Sequence, residues 1–269
     1  MNISISSIAW DKNYDPSVAR ILVRYGVSYI DLTPTRYFGD IFKPSDSDIL
    51  NIKNWWNDQG VKIYGMQSLL YGTRDFNIFN VTKHKEIFNY LNRVFYIASL
   101  LDIKRLVFGS PKNRDRSSLS DKEALHISVD FFYTIGELAK QFDLIVCLEP
   151  NPSIYDCNFM INHDETAFII NQIAHESIGL QLDTGAIAIN KEDIINIIDN
   201  YSSLIKHIHL SEPMLLEIDI NNEIHKTISS KIKKHFSEQI ITIEMLTSKE
   251  TDPLKSIQNS LAFVSSLYL

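Results

Sequence analysis

Eight short apolar runs alternate with eight longer amphipathic stretches along the chain. The runs occupy residues 3–10, 29–34, 61–70, 105–109, 144–150, 178–183, 205–211 and 240–246. Each is rich in β-branched or aromatic residues, as buried strands are. The stretches between them predict helices over residues 16–25, 45–59, 82–101, 120–141, 163–174, 191–204, 223–236 and 253–269. Their ends carry stop and start signals. Pro16 opens the first and Gly26 follows it; SDSD opens the second and Gly60 closes it. The fourth begins SDKE, a serine with a glutamate three residues on, the capping-box pattern.

Strict alternation of strand and helix implies a parallel sheet. Eight such units in about 250 residues fit a closed (β/α)8 barrel. An open doubly wound sheet needs fewer strands and carries a glycine-rich turn after the first one. Here the first run leads into AWDKNYDP, without a glycine. No Ser/Gly-rich linker divides the chain. The expected fold is therefore α/β: a single eight-stranded parallel TIM barrel, one domain over residues 1–269.

Four of the runs end on a polar residue: Glu149 in LIVCLEPN, Asp183 in IGLQLDTG, His209 in IKHIHLSE and Glu244 in QIITIEML. A carboxylate or imidazole at the end of a buried strand is costly unless something binds it. In a barrel these strand ends meet at the catalytic rim. Any one of them could instead pair with a cation or cap the next helix; four at matching positions point to one divalent ion. Three oxygen donors and one imidazole suit Mn²⁺, Mg²⁺ or Co²⁺, with Zn²⁺ behind them. Such an ion could polarise a carbonyl and stabilise an enediolate. Glu149 and Glu244 come from strands on opposite sides of the ring, so one could remove a proton and the other return it. Alternation along each strand puts Cys147, Gln181, His207 and Thr242 in the layer below, small or hydrogen-bonding groups suited to orienting the ligands.

Other candidates flank these four. The loop FGSPKNRDR after the fourth run offers Lys112 and Arg114 to a phosphate or carboxylate, the alternative being a solvated basic turn. Glu212 in LSEP is placed to meet a sugar hydroxyl or to cap its loop. Gln67, in the third run, is a candidate for a polyol. Asp31 is either the same or a turn residue. Trp10 and Tyr37 are pocket walls or core, and His225 reads as a surface histidine.

Taken together, CLEPNP, GLQLDTGA, KHIHLSEP and ITIEML resemble the xylose isomerase-like TIM barrels, the sugar phosphate isomerase/epimerase superfamily that includes the ketose 3-epimerases. The resemblance covers nearly the whole chain. It implies one divalent ion on Glu149, Asp183, His209 and Glu244, with the two glutamates as the acid/base pair. Three positions that the resemblance sets against the sugar depart from the ketose 3-epimerase pattern. Tyr155 stands where a glutamate is usual, Ala186 where a histidine is, and Leu215 where an arginine is. These departures weigh against a free ketohexose. Tyr155 is retained as a substrate-contact candidate.

The expected activity is thus a metal-dependent isomerase or epimerase acting on a sugar, sugar phosphate or other sugar derivative. The alternatives are a keto-polyol dehydratase of the same fold and a catalytically inactive sugar-binding barrel. An apurinic endonuclease would need more histidines at strand ends. The net charge of −7 also disfavours nucleic acid as a partner. Two cysteines, Cys147 and Cys157, fit a reducing compartment. No signal-peptide pattern or membrane-spanning run is seen, so the cytoplasm is expected. The sequence leaves the oligomeric state open; by resemblance, a dimer or tetramer is common in such barrels, so a homo-oligomer is one possible form.

Overall fold

The computed structural model describes every residue except Ser118, Asn222 and residues 249–251, and the backbone alone of Glu223. Eight strands follow the predicted runs: β1 (Asn2–Ser6), β2 (Tyr29–Leu32), β3 (Lys62–Met66), β4 (Arg105–Phe108), β5 (Ile145–Leu148), β6 (Ile178–Asp183), β7 (Ile205–Ser211) and β8 (Ile240–Glu244). Neighbours in sequence are neighbours in space, and β1 pairs in parallel with β8 to close the barrel. The open doubly wound alternative is excluded by that closure.

Several strands are shorter than their apolar runs, for local reasons. After β1, the Ser6 hydroxyl accepts the Ile8 N–H and starts a 3-10 turn. Ala9 and Trp10 then pack in the core rather than in the sheet. Trp10 donates its indole N–H to Asp15 at 2.7 Å, and Tyr37 donates to the same carboxylate at 3.2 Å. Both aromatics therefore belong to the packing between barrel and helices. After β3, Ser68 takes a left-handed conformation that turns the chain out of the sheet.

Among the described residues, eight α-helices of eight or more residues surround the barrel: Asp15–Arg24, Asp46–Asp58, His84–Leu100, Asp121–Lys140, His163–Ile173, Ile194–Tyr201, Glu223–His235 and Pro253–Tyr268. Their apolar faces bury against the strands. In His84–Leu100 the inward stripe is Ile87, Leu91, Val94, Phe95 and Ala98. Phe132 meets Phe108 of β4 edge-on at 5.2 Å. Each of these aliphatic or aromatic side chains larger than alanine contributes roughly 1.5–3 kcal/mol by burial. Among the described residues no helix is long and apolar enough to cross a membrane.

One predicted helix differs. The stretch over residues 191–204 shortens to Ile194–Tyr201, because Asp193 caps it by accepting the Ile195 and Asn196 N–H groups. A further short helix, Thr184–Asn190, starts straight from β6 with Asp183 as its cap.

The barrel interior is not uniformly aliphatic. Ser4, Asp31, Gln181, His207 and Thr242 form a wholly buried polar layer, with Cys147 beside them. Parallel pairing sets Gln181 against His207, Asp183 against His209 and Ser211 against Glu244. The polar layer and the rim above it are thus fixed by strand register.

The capping box at residue 120 gives a test of the outer layer. Ser120 and Glu123 exchange hydrogen bonds, the hydroxyl donating at 2.6 Å and the Ser120 N–H at 2.9 Å. Ser120→Ala should cost about 1 kcal/mol. A thermal melt should show a fall in midpoint of about 2–4 °C. An unchanged midpoint would mean the cap does not stabilise this helix.

Candidate functional site

Glu149, Asp183, His209 and Glu244 converge at the C-terminal rim of the barrel. Each offers one donor atom, and these four atoms lie within 4.8 Å of one another. The backbone places them: Asp183 and Glu244 are the last residues of β6 and β8, His209 lies within β7, and Glu149 directly follows β5.

Each carboxylate is oriented by a neighbour. Glu149 accepts from the Asn151 amide at 3.0 Å, and its backbone carbonyl accepts from Arg114 at 2.8 Å. Asp183 accepts the Ala186 N–H at 2.6 Å on one oxygen and the Ser211 hydroxyl at 2.7 Å on the other. Glu244 accepts from the Gln67 amide at 2.6 Å. Gly109 has no side chain because a Cβ there would collide with the Glu149 carboxylate.

The imidazole of His209 is the centre of the cluster. Its Nδ1 stands 3.2 Å from Glu244 and 3.5 Å from Glu149. Neither ring nitrogen makes a hydrogen bond among the described residues, although both are buried. An unsatisfied nitrogen facing three carboxylates fits a cation as the missing partner. The two glutamate side chains keep 14% and 11% of their surface, whereas His209 keeps none. The glutamates therefore reach the cavity, and the histidine supports from below.

The electrostatics carry the same signature. Burial pushes Asp183 from its ordinary 3.8 up to about 7, and the charges of Glu149 and Glu244 add to that. Burial alone would also raise Glu149, but the hydrogen bond and charge of His209, with Asn151 and Arg114, outweigh it and hold the carboxyl low. Burial disfavours the charged form of His209, yet Glu244 and its other acidic neighbours raise its pKa well above the usual range. Without an ion, the site holds protons in its place.

Below lies a second group. Asp31 accepts from the Ser4 hydroxyl at 3.0 Å and lies 2.9 Å from His207 Nε2. His207 Nδ1 is 3.0 Å from Gln181, and the Tyr64 ring stacks on the imidazole. The same Asp31 oxygen is 3.9 Å from His209 Nε2. Asp31, His207 and His209 could also hold a metal by spacing alone. All three are fully buried, though, and their contacts suit hydrogen bonding. Asp31 thus lies on the Nε2 side of the His209 ring while Nδ1 faces the carboxylates, the side from which a carboxylate would support a histidine that holds a metal. Gly65 is bare because a Cβ would strike the Asp31 carboxylate.

A cavity of about 520 Å³ opens above the four donors, and Gln67, Lys112, Tyr155 and Glu212 line it. The Tyr155 hydroxyl accepts the Met214 N–H at 2.9 Å, tying the β5 and β7 loops together. Ala186 and Leu215 are also on the wall. Arg114 is not there. It is wholly buried, and its guanidinium is engaged by the Glu149 carbonyl and the Cys157 sulfur, so it cannot meet a substrate. His225 is not at the surface either; it is buried with Nε2 2.8 Å from Glu212. Asp31 was legible as a polar strand end but not as a member of the inner layer. Asn151 and Ser211 were missed. Period-two alternation pointed to Ser211, which lies two residues beyond His209 on the same face.

Two outcomes follow. Asp183 binds its proton more readily folded than unfolded, so it lowers the stability of the metal-free protein as pH rises from about 4 to 7. His209, raised in the fold, continues that loss above pH 6.5. A divalent ion displaces both protons, so the rise in melting midpoint on adding Mn²⁺ should grow from pH 5 to pH 8. Equal gains at every pH, or none, would contradict the site. Secondly, Asp31→Asn should weaken Mn²⁺ binding about 10–100-fold in calorimetry while the fold survives; unchanged affinity would remove Asp31 from the support of His209.

A comparison with curated proteins finds no match. Among solved structures, D-psicose 3-epimerase from Clostridium cellulolyticum H10, determined with D-tagatose, superposes with a TM-score of 0.83 at 15% identity over 100% of each chain. The 3-keto-D-glucoside 4-epimerase of E. coli gives 0.77 at 13% identity over 99% of each. A probable 3-DHS dehydratase from Bacillus anthracis gives 0.69 at 15% identity over 97% of this chain and 99% of that one. At these identities the likeness is one of fold. The xylose isomerase-like TIM barrel family matches residues 19–267. With that match, the chain belongs to the xylose isomerase-like TIM barrel family.

Proposed function

We propose that the protein is a divalent-metal-dependent isomerase or epimerase acting on a hydroxy-ketone sugar or sugar derivative. The observation that carries this reading is the pair of glutamates, Glu149 and Glu244. They flank one imidazole, approach from β5 and β8, and keep their only exposed surface towards the cavity. Glu149, Asp183, His209 and Glu244 would hold the ion, with Mn²⁺ first among the candidates. The bound ion would supply positive charge to the oxygens of the substrate.

The side chains perform the proton transfer. Glu149 is held in its ionised form and suits the acceptor of a proton from the carbon beside the carbonyl. Glu244, steadied by Gln67, stands on the other side of His209 and suits return of a proton to the opposite face. Gln67, Lys112, Tyr155 and Glu212 are the substrate contacts the cavity offers. The known likenesses favour this chemistry: solved epimerases share the fold across the whole chain.

The fold of a probable dehydratase keeps a second reading open, in which proton removal is followed by loss of a hydroxyl. Product mass separates the two, since epimerisation leaves it unchanged and dehydration removes one water. Two buried free thiols, Cys147 and Cys157, accord with the expected reducing, cytoplasmic setting.

Solvent exchange tests the proposal. The Mn²⁺-loaded protein in D₂O should place deuterium in at least one member of a panel of ketoses, aldoses, sugar phosphates and keto acids. Glu149→Gln and Glu244→Gln should each lower the exchange rate about 10²–10⁴-fold. No incorporation into any compound would overturn the isomerase reading.

A further inference from the structure

The cavity above the metal ligands does not stand alone. A second cavity of about 590 Å³ lies over the loops that follow β3 and β4. The two adjoin along Ser68, Ser110, Pro111 and Lys112. Together they form a cleft larger than a free ketohexose needs, since a cavity of a few hundred Å³ already encloses a small ligand.

The two halves differ in chemistry. In the inner half, Gln67, Asn151 and Ser211 are committed to orienting Glu244, Glu149 and Asp183. Lys112 is the one cation on the inner lining among the described residues. The outer half has no acidic side chain on its described lining and carries two cations, Lys112 and Arg74. Both are exposed, and neither makes a hydrogen bond or ion pair through its side chain among the described residues. Two cations and no carboxylate on the described lining make this concave surface electropositive on a chain of net charge −7.

The outer wall is also built, not loose. Asn113 is nearly buried and donates to the Thr73 carbonyl at 3.0 Å and the Phe76 carbonyl at 2.7 Å. The Thr73 hydroxyl donates to the Leu70 carbonyl at 2.6 Å. The β3 and β4 loops, which carry Arg74 and Lys112, are thus tied to each other before any ligand arrives. Tyr71 lies on the same cavity with 71% of its surface exposed, a flat apolar face beside the two charges.

We propose that the substrate is a two-part molecule, with its hydroxy-ketone at the metal ligands and an anionic group in the outer cavity between Lys112 and Arg74. The anion is a phosphate or a carboxylate, both of which these side chains recognise. Tyr71 covers the carbon chain that joins the two parts. The inference rests on the proposed reaction for its inner half only; the outer half is a binding site by itself. It also accounts for the apolar Ala186 and Leu215 on the inner wall, because affinity and orientation come from the far end of the substrate.

Calorimetric titration of the Mn²⁺-supplemented protein tests this with three probes: D-ribulose, D-ribulose 5-phosphate and D-fructuronate, a keto acid whose carboxylate lies at the opposite end from its hydroxy-ketone. At least one anionic probe should bind ten or more times tighter than D-ribulose, and which one does so identifies the anion. Arg74→Met, which lies on the outer cavity alone, should weaken that probe about tenfold or more while leaving D-ribulose binding and the melting midpoint unchanged; Lys112→Met, at the junction of the two cavities, should weaken it at least as much with the melting midpoint unchanged. Anionic probes that bind no tighter than D-ribulose, or variants that bind them as the wild type does, would overturn the outer site even if exchange into neutral sugars is seen. Tight anion binding that the variants abolish, without exchange into any sugar, would sustain the outer site and sink the isomerase reading.

Discussion

Three carboxylates gathered around one buried imidazole repel one another and have lost most of their water. That constraint organises the rest of the molecule. Desolvation of each charge is expensive, and like charges a few ångströms apart add to the cost. The fold answers with hydrogen bonds: Asn151 to Glu149, Ser211 and the Ala186 N–H to Asp183, Gln67 to Glu244. These donors fix where the carboxylates point but do not neutralise them. In the absence of a cation, neutralisation falls to protons on Asp183 and His209. A divalent ion, as proposed above, would satisfy all four groups at once.

The same constraint explains the unusual barrel interior. A parallel barrel is ordinarily filled by branched aliphatic side chains. Here the layer under the rim is Ser4, Asp31, Gln181, His207 and Thr242, completely buried. Asp31 is held in its ionised form because His207 and His209 outweigh the cost of its burial. It stands behind His209, and bare glycines at 65 and 109 leave room for Asp31 and Glu149. The four donor groups are thereby held in or at the ends of rigid strands, below the loops that line the cavity.

Much of this was legible in the chain. The eight strands and their ends could be read because buried parallel strands are continuous apolar runs, and a polar residue closing such a run stands out. Alternation was enough to place Gln181, His207 and Thr242 in one layer. Asp31 was harder. It lies in a strand of four residues, and the following Leu-Thr-Pro reads equally well as a turn. Arg114 was misread for a related reason: in a polar loop an arginine looks solvated, and nothing local shows that it folds back beneath the Glu149 carbonyl. His225 likewise gains its buried partner, Glu212, only through the path of the β7 loop. Arg74 and Tyr71 could not be found from sequence, because their meeting with Lys112 depends on how two loops lie against each other.

The central claim is that Glu149, Asp183, His209 and Glu244 share one divalent ion. Anomalous diffraction from crystals grown with Mn²⁺ measures this directly. The account predicts a single strong peak inside the barrel rim, bonded to one donor atom from each of the four residues. A peak bonded to Asp31 and His207 instead, or no peak at the rim with the four side chains unmoved, would contradict it.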